Sequence, residues 1–132
     1  MSKSTIHGPG YLAARATMEL EPKPLLPTDP AERKGIPLCT GVFDYFPLAL
    51  VEIAKVSHAG NQQHNPGQPL HWTRSKSTDF ENTISRHLLE RGGFDTDGQR
   101  HSAKLAWRAL AMLQIEMEQA LEQPISRGST PE

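Results

Sequence analysis

Residues Asp97 to Glu122 read DGQRHSAKLAWRALAMLQIEMEQALE, and this stretch decides the fold. Asp97 is a favoured N-cap residue, and the helix it opens runs to about Glu122. Ala106, Leu110, Leu113, Met117 and Leu121 recur on one apolar stripe, while Leu105, Ala109 and Met112 make a second. A helix with two apolar stripes calls for packing partners on two sides.

Two earlier segments supply part of that packing. One helix opens at Pro47, a favoured first helical position, and continues to about His58 with Leu50, Ile53 and Val56 turned to the core. Another starts at Thr78, where Thr78 and Glu81 form a T-x-x-E capping box, and runs to about Glu90. Phe80, Ile84 and Leu88 share its apolar stripe, and Gly92-Gly93 ends it. These helices are too few to cover the last one from within a single chain. The prediction is an all-α bundle completed by oligomerisation, at least a dimer.

The flanks differ in kind. Residues 1–37 hold six of the eleven prolines and read as an extended Pro-rich arm, with one helical turn around Ala13 to Leu20. Residues 38–123 form the helical domain, and 124–132 a flexible tail. A chain of 132 residues is one domain, and 36% hydrophobic content with a mean hydropathy of −0.53 implies a modest core. Fourteen Lys+Arg against fifteen Asp+Glu argue against a stable nucleic-acid partner. Cys39 is alone, so neither an internal disulfide nor a thiolate zinc cage is available. With no apolar run of the roughly 18 residues a membrane span needs, and no apolar signal core, the expected location is the cytoplasm.

Polar chemistry concentrates in the middle of the chain. Of the six histidines, His58, His64, His71, His87 and His101 fall there, together with Asp79, Asp95 and Asp97. Ala59 to Ser77 (AGNQQHNPGQPLHWTRSKS) shows no period. Loops longer than about 12–15 residues are uncommon in compact domains unless functional or disordered. This one keeps Trp72, His64 and His71, which favours function. Its Asn61, His64, Asn65, Arg74 and Lys76 could reach phosphates or a base edge, and Trp72 could stack on a base, although packing beneath the loop is a tryptophan's commoner fate.

Asp97, His101, Lys104 and Arg108, spaced four, three and four apart, make one helical column. An acid and a histidine followed by two cations suit a metal and the phosphates it bridges, yet on spacing alone a solvated charged face is the more ordinary account. Asp95-Thr96-Asp97 offers a second carboxylate for a hard cation, or simply an Asp-Gly turn. Glu52, set among Val51, Ile53 and Val56, is the first choice of metal ligand, with Lys55 as its alternative partner. Asp79, Asn82, Arg86 and Glu90 share a polar face, where Arg86 and Glu90 can pair at i,i+4. His87, beside the Ile84 and Leu88 stripe, is more ordinarily a core residue than a ligand. Phosphate-loop, dinucleotide, nucleophile-elbow and H-E-x-x-H templates are missing, which leaves metal-assisted phosphate chemistry or plain binding.

Several blocks in order then carry a resemblance: GVFDYFP from Gly41, GNQQHNPG from Gly60, His71-Trp72, KSTD from Lys76, Arg86-His87-Leu88, and DTDGQRHSAK from Asp95. Over about residues 34–118 the chain resembles the dATP/dGTP diphosphohydrolases, a divergent branch of the all-α MazG-like nucleotide pyrophosphohydrolases, and within them the MazZ-like phage branch associated with 2-aminoadenine genomes. The resemblance implies a dimer or tetramer that hydrolyses dGTP, and GTP, to monophosphate and pyrophosphate with Mg²⁺ or Mn²⁺. The dGMP would then supply 2-aminoadenine nucleotide synthesis. It further implies a metal set of Glu52, Asp97 and His101, then Asp95 and Asp79, with Glu52, Asp97, His101 and Lys104 as the catalytic group. Lys76, Arg86, Lys104 and Arg108 would hold the polyphosphate. The loop from Asn61 through His64 to Trp72 would close over the base, with His87 also at the substrate. The chain departs from the MazG pattern of paired acids, reading Glu52-x-x-Lys55 where E-x-x-E is usual. The competing readings are a dATP-preferring or broad house-cleaning pyrophosphohydrolase, an HNH-like nuclease built on His64 and Asn65, and a non-enzymatic helical oligomer.

Overall fold

Helices are the longest elements of the chain and place it in the all-α class. A computed structural model describes residues 20–132, so the helical turn expected from Ala13 onward lies outside the described residues. Helix α1 (Pro30–Lys34) is a short turn whose N-cap, Asp29, accepts through Oδ2 from Glu32 N at 3.0 Å. A π-helical turn, Cys39–Phe43, leads to helix α2 (Pro47–His64). Proline suits the start of α2 because the first-turn N–H groups have no helical partner in any case.

Helix α2 continues past His58 to His64, absorbing the first third of the predicted loop. A glycine inside a helix costs only about 1 kcal/mol relative to alanine, so Gly60 does not stop it. The last part of the predicted loop forms β1 (Trp72–Thr73) and a 3₁₀ turn (Arg74–Lys76), and helix α3 (Phe80–Leu89) follows. The predicted capping box does not form. Asp79 takes the N-cap position with a left-handed backbone, φ 55°, which leaves Thr78 outside the helix. The Thr78 carbonyl instead accepts from Arg108 Nη1 at 2.9 Å.

Helix α4 (His101–Leu121) also starts later than predicted. Asp97 does not cap it, because Asp95 to Gln99 forms a tight turn. Gly98 N donates to Asp95 O at 3.0 Å, Asp95 N donates to Gln99 O at 2.7 Å, and Gly98 has the positive φ of 83° that such a turn asks of glycine. The expected single column is therefore broken between Asp97 and His101. The tail differs as well. Strand β2 (Ser129–Thr130) folds back to pair in parallel with β1, Trp72 opposite Ser129 and Thr73 opposite Thr130, where fraying was expected.

The core is small. Phe80, Ala111 and Ile115 form it, with Trp72, Ile84, Trp107 and Met112 packed around them. Leu110, Leu113, Met117 and Leu121 of the first apolar stripe stay 43–52% exposed. On α2, Leu50, Ile53 and Val56 are only half-buried, and no residue of that helix is fully buried. Among the described residues no single helix is long and apolar enough to cross a membrane.

Candidate metal and nucleotide site

The polar loop after α2 takes its shape from two asparagines. Asn61 Nδ2 donates to the Gln68 carbonyl at 3.0 Å, and its Oδ1 accepts from Asn65 Nδ2 at 3.0 Å and from His71 N at 3.4 Å. Asn65 Oδ1 accepts from Thr73 Oγ1 at 2.9 Å. Through these bonds Asn61 holds the loop, and it also lines the cavity that the loop borders. The loop so held closes one side of a cavity of about 450 Å³, whose other walls come from α2, α3 and α4.

Two tryptophans furnish carbon surface. Trp72 and Trp107 meet edge to face, with ring centroids 5.5 Å apart. Trp72 Nε1 donates to Ser77 Oγ at 3.0 Å and Trp107 Nε1 to Ser57 Oγ at 2.8 Å, so each indole N–H is satisfied. Lys104, Trp107 and Arg108 stand three and four residues apart on α4 and share the cavity-facing side with Lys76 of the 3₁₀ turn. Trp107 is a site residue that sequence reasoning missed, although the spacing of Lys104, Trp107 and Arg108 contains it.

The charges here are coupled. Lys104 Nζ lies 2.7 Å from Asp95 Oδ2 and 2.9 Å from Asp97 Oδ2. The hydrogen bond from Lys104, then that from Thr96 N, lowers the Asp95 pKa to about 2, and Asp97 is lowered by Lys104 and by Gln99 N. Burial works against the Lys104 charge, but the hydrogen bonds to Asp95 and Asp97 outweigh it and raise its pKa. Burial lowers the Arg108 pKa. That guanidinium also lies 5.5 Å over the Phe80 ring.

Beside this triad the described residues hold a ligand cluster. His87, Asp95 and His101 offer atoms that all lie within 4.8 Å of one another. The two imidazoles face each other, Nδ1 to Nδ1 at 3.0 Å. Burial, followed by the neighbouring His101 and Lys104, lowers the His87 pKa and favours the neutral ring, whose lone pair can ligate. Asp95 is ionised at neutral pH, so two imidazole nitrogens and one anionic oxygen are available together. That donor set fits a divalent cation accepting mixed nitrogen and oxygen ligation.

Of the metal ligands proposed from sequence, Asp95 and His101 come together here, and they are joined by His87, which the resemblance placed at the substrate and not among the ligands. Asp97, Asn61, His64, Trp72, Lys76, Lys104 and Arg108 line the cavity. Glu52 stands outside both groups and pairs with Lys55 at 2.9 Å. Asp79 accepts from Asn82 at 2.9 Å and lies 3.6 Å from Arg86, on an exposed face outside the cavity. Arg74 is no phosphate contact, being buried against Glu118.

A family model described as dATP/dGTP diphosphohydrolase, N-terminal, matches residues 32–124. No curated protein and no solved structure matches the chain.

Proposed function

From the premise that the chain belongs to the dATP/dGTP diphosphohydrolase N-terminal family, we propose that it is a metal-dependent pyrophosphohydrolase that cleaves dGTP, and GTP, to the monophosphate and pyrophosphate. The observation that carries this reading is the joining of an aromatic pair, three cations and the ligand cluster at one cavity. Trp72 and Trp107 give carbon surface for a purine, and Lys76, Lys104 and Arg108 give charge for a polyphosphate. His87 belongs both to the lining and to the His87, Asp95, His101 cluster.

A divalent cation bound there would neutralise charge developing on the phosphates and supply an activated water. The protein's own part is to hold Asp95 ionised and His87 neutral, to keep Lys104 within reach of substrate oxygens, and to exclude bulk water with the Asn61-shaped loop. Of the two cations the resemblance implies, Mn²⁺ suits this cluster better. Mg²⁺ prefers oxygen ligands throughout, and two of the three donors are imidazoles.

Guanine over adenine, and a MazZ-like role in which dGMP enters 2-aminoadenine nucleotide synthesis in a phage-infected cytoplasm, rest on the likeness of the quoted motifs. We further infer a homodimer or tetramer. A 14.6 kDa chain that leaves Leu110, Leu113, Met117 and Leu121 about half exposed needs a second copy to cover them. Sedimentation at micromolar concentration is expected to give at least a dimer, and a 14.6 kDa species would overturn that inference. The activity test is pyrophosphate release from the eight common nucleotides with Mn²⁺ or Mg²⁺, and plasmid DNA as a control. Preferential release from dGTP with Mn²⁺ supports the proposal. Preference for dATP would overturn the guanine assignment, and cleavage of plasmid alone would favour a nuclease.

A further inference from the structure

Residues 125–132 lie beyond the family match at residues 32–124, yet Gly128 among them forms part of the cavity wall. Gly128 lines the cavity, and its carbonyl accepts from Trp72 N at 2.8 Å. Ser129 and Thr130 pair with Trp72 and Thr73, and Pro131 O accepts from Ser75 N at 3.2 Å. An ion pair pins this strap from beneath. Arg74 Nη1 and Nη2 donate to the two carboxylate oxygens of Glu118 at 2.9 and 2.6 Å, and both side chains are 2% exposed. Arg74 also donates to Ser129 Oγ at 2.9 Å and Ser126 Oγ at 3.2 Å, while Glu118 Oε2 accepts from Ser126 N at 2.8 Å. The same guanidinium covers the Trp72 ring, 3.9 Å from its centroid.

A buried ion pair adds little stability over an apolar pair of similar volume, because desolvation offsets the attraction. Its directional bonds do fix geometry. Here Arg74 covers the face of Trp72 and the Gly128 carbonyl holds its backbone, while Ser77 separately accepts the ring N–H. We propose that Arg74, Glu118 and the strap of residues 126–130 are positioning elements that hold Trp72 in the orientation in which it meets the nucleoside half of the substrate. They make no contribution to holding the metal or the phosphates. This rests on the reading of the cavity as a nucleotide site.

The test uses the full chain carrying Arg74→Met with Glu118→Leu, which removes both members of the ion pair together. Binding of a non-hydrolysable α,β-methylene dGTP analogue, inorganic tripolyphosphate and Mn²⁺ alone is measured beside amide exchange and melting temperature. The expected result is at least tenfold weaker analogue binding and faster exchange across residues 71–77. Tripolyphosphate and Mn²⁺ affinities should stay within twofold, a split that a merely structural defect would not produce. Equal analogue binding by the folded variant and the unsubstituted chain overturns the proposal alone. Absence of analogue binding in the unsubstituted chain overturns the cavity's reading and this proposal together. Where the double substitution prevents folding, Ser126→Ala with Ser129→Ala decides the matter with the ion pair intact. About threefold weaker analogue binding is then expected, and unchanged binding overturns it.

Discussion

Two charged clusters bear on the same cavity and are built in opposite ways. Arg74 and Glu118 match one positive charge to one negative charge, in bidentate contact, with each side chain 2% exposed. Lys104 sets a single ammonium between two carboxylates, and Lys104, Asp95 and Asp97 remain 21, 28 and 47% exposed. The first cluster is buried, with both carboxylate oxygens engaged by the guanidinium, and has no opening for a ligand. The second carries one more negative charge than positive and adjoins the His87 and His101 rings, so a further cation would improve its balance. Saturation and burial mark a cluster that sets geometry, whereas incomplete neutralisation with partial exposure marks one able to exchange partners.

The contrast breaks most sharply on substitution of one member of each cluster. Glu118→Ala leaves the Arg74 guanidinium buried without its carboxylate, and should cost about 3–5 kcal/mol of unfolding free energy. Urea denaturation measures it, and a loss below about 1 kcal/mol would remove the closed cluster's claim to a structural role. Asp95→Asn should do the reverse. It keeps the turn's shape but removes the anionic donor, so turnover should fall on the order of 10²–10³-fold, while the urea midpoint falls by less than in Glu118→Ala because the partly exposed contact with Lys104 is screened by water. An Asp95→Asn chain with ordinary pyrophosphate release would take Asp95 out of the metal site.

Lys104→Met sharpens the comparison on the open side alone. Lys104 occupies the carboxylate oxygens that a cation would seek, so its loss should tighten Mn²⁺ binding several-fold in the absence of nucleotide and weaken polyphosphate binding. The same contact sets a pH signature. Asp95 is depressed to about 2 from 3.8, chiefly by Lys104, so the folded state holds the proton less tightly than the unfolded state. The associated stability is complete above the unfolded value, and is lost as pH falls from near 4 through about 2. In Lys104→Met, carboxyl titration followed by NMR should move back toward 3.8, and this part of the acid destabilisation should shrink. An unmoved Asp95 titration would assign the depression to the Thr96 N–H.

The legible parts of this molecule are those with local causes. The stripe from Ala106 to Leu121 and the break at Gly92-Gly93 act within a turn or two of themselves, and the helices lie where they indicate. Helix starts were less legible, because Gly98 builds a turn from Asp95 to Gln99 that competes with the N-cap at Asp97, and Asp79 in a left-handed conformation displaces Thr78. The order of the tail was hidden for another reason. Its anchors act between residues far apart in sequence, Arg74 to Glu118 and Trp72 to Gly128, and no periodicity records such contacts. His87 shows the same limit within the site. A histidine beside an apolar stripe carries no sign that His101 will stand 3.0 Å away, nitrogen to nitrogen.

The smallest expected effect belongs to Glu52, and it tests whether the open cluster holds every metal ligand. Glu52 and Lys55 pair at 2.9 Å with side chains 35% and 58% exposed, three residues apart on α2. Such a pair stabilises a helix by only a few tenths of a kcal/mol, since water screens both charges. Glu52→Gln keeps the side chain's shape and removes its charge. The expected outcome is a melting temperature lowered slightly at most, and pyrophosphate release within about twofold of the unsubstituted chain. The paired-acid pattern of the MazG-like enzymes predicts the opposite: turnover falling by orders of magnitude, and an apo melting temperature unchanged or raised because a lone ligand carboxylate has been relieved of repulsion. Measuring both quantities with and without Mn²⁺ separates the two cases. Loss of turnover together with loss of Mn²⁺-induced stabilisation would bring Glu52 into the metal site, and would mean that a second copy or a rearranged α2 carries it there, because in this chain it stands outside the cavity and the ligand cluster.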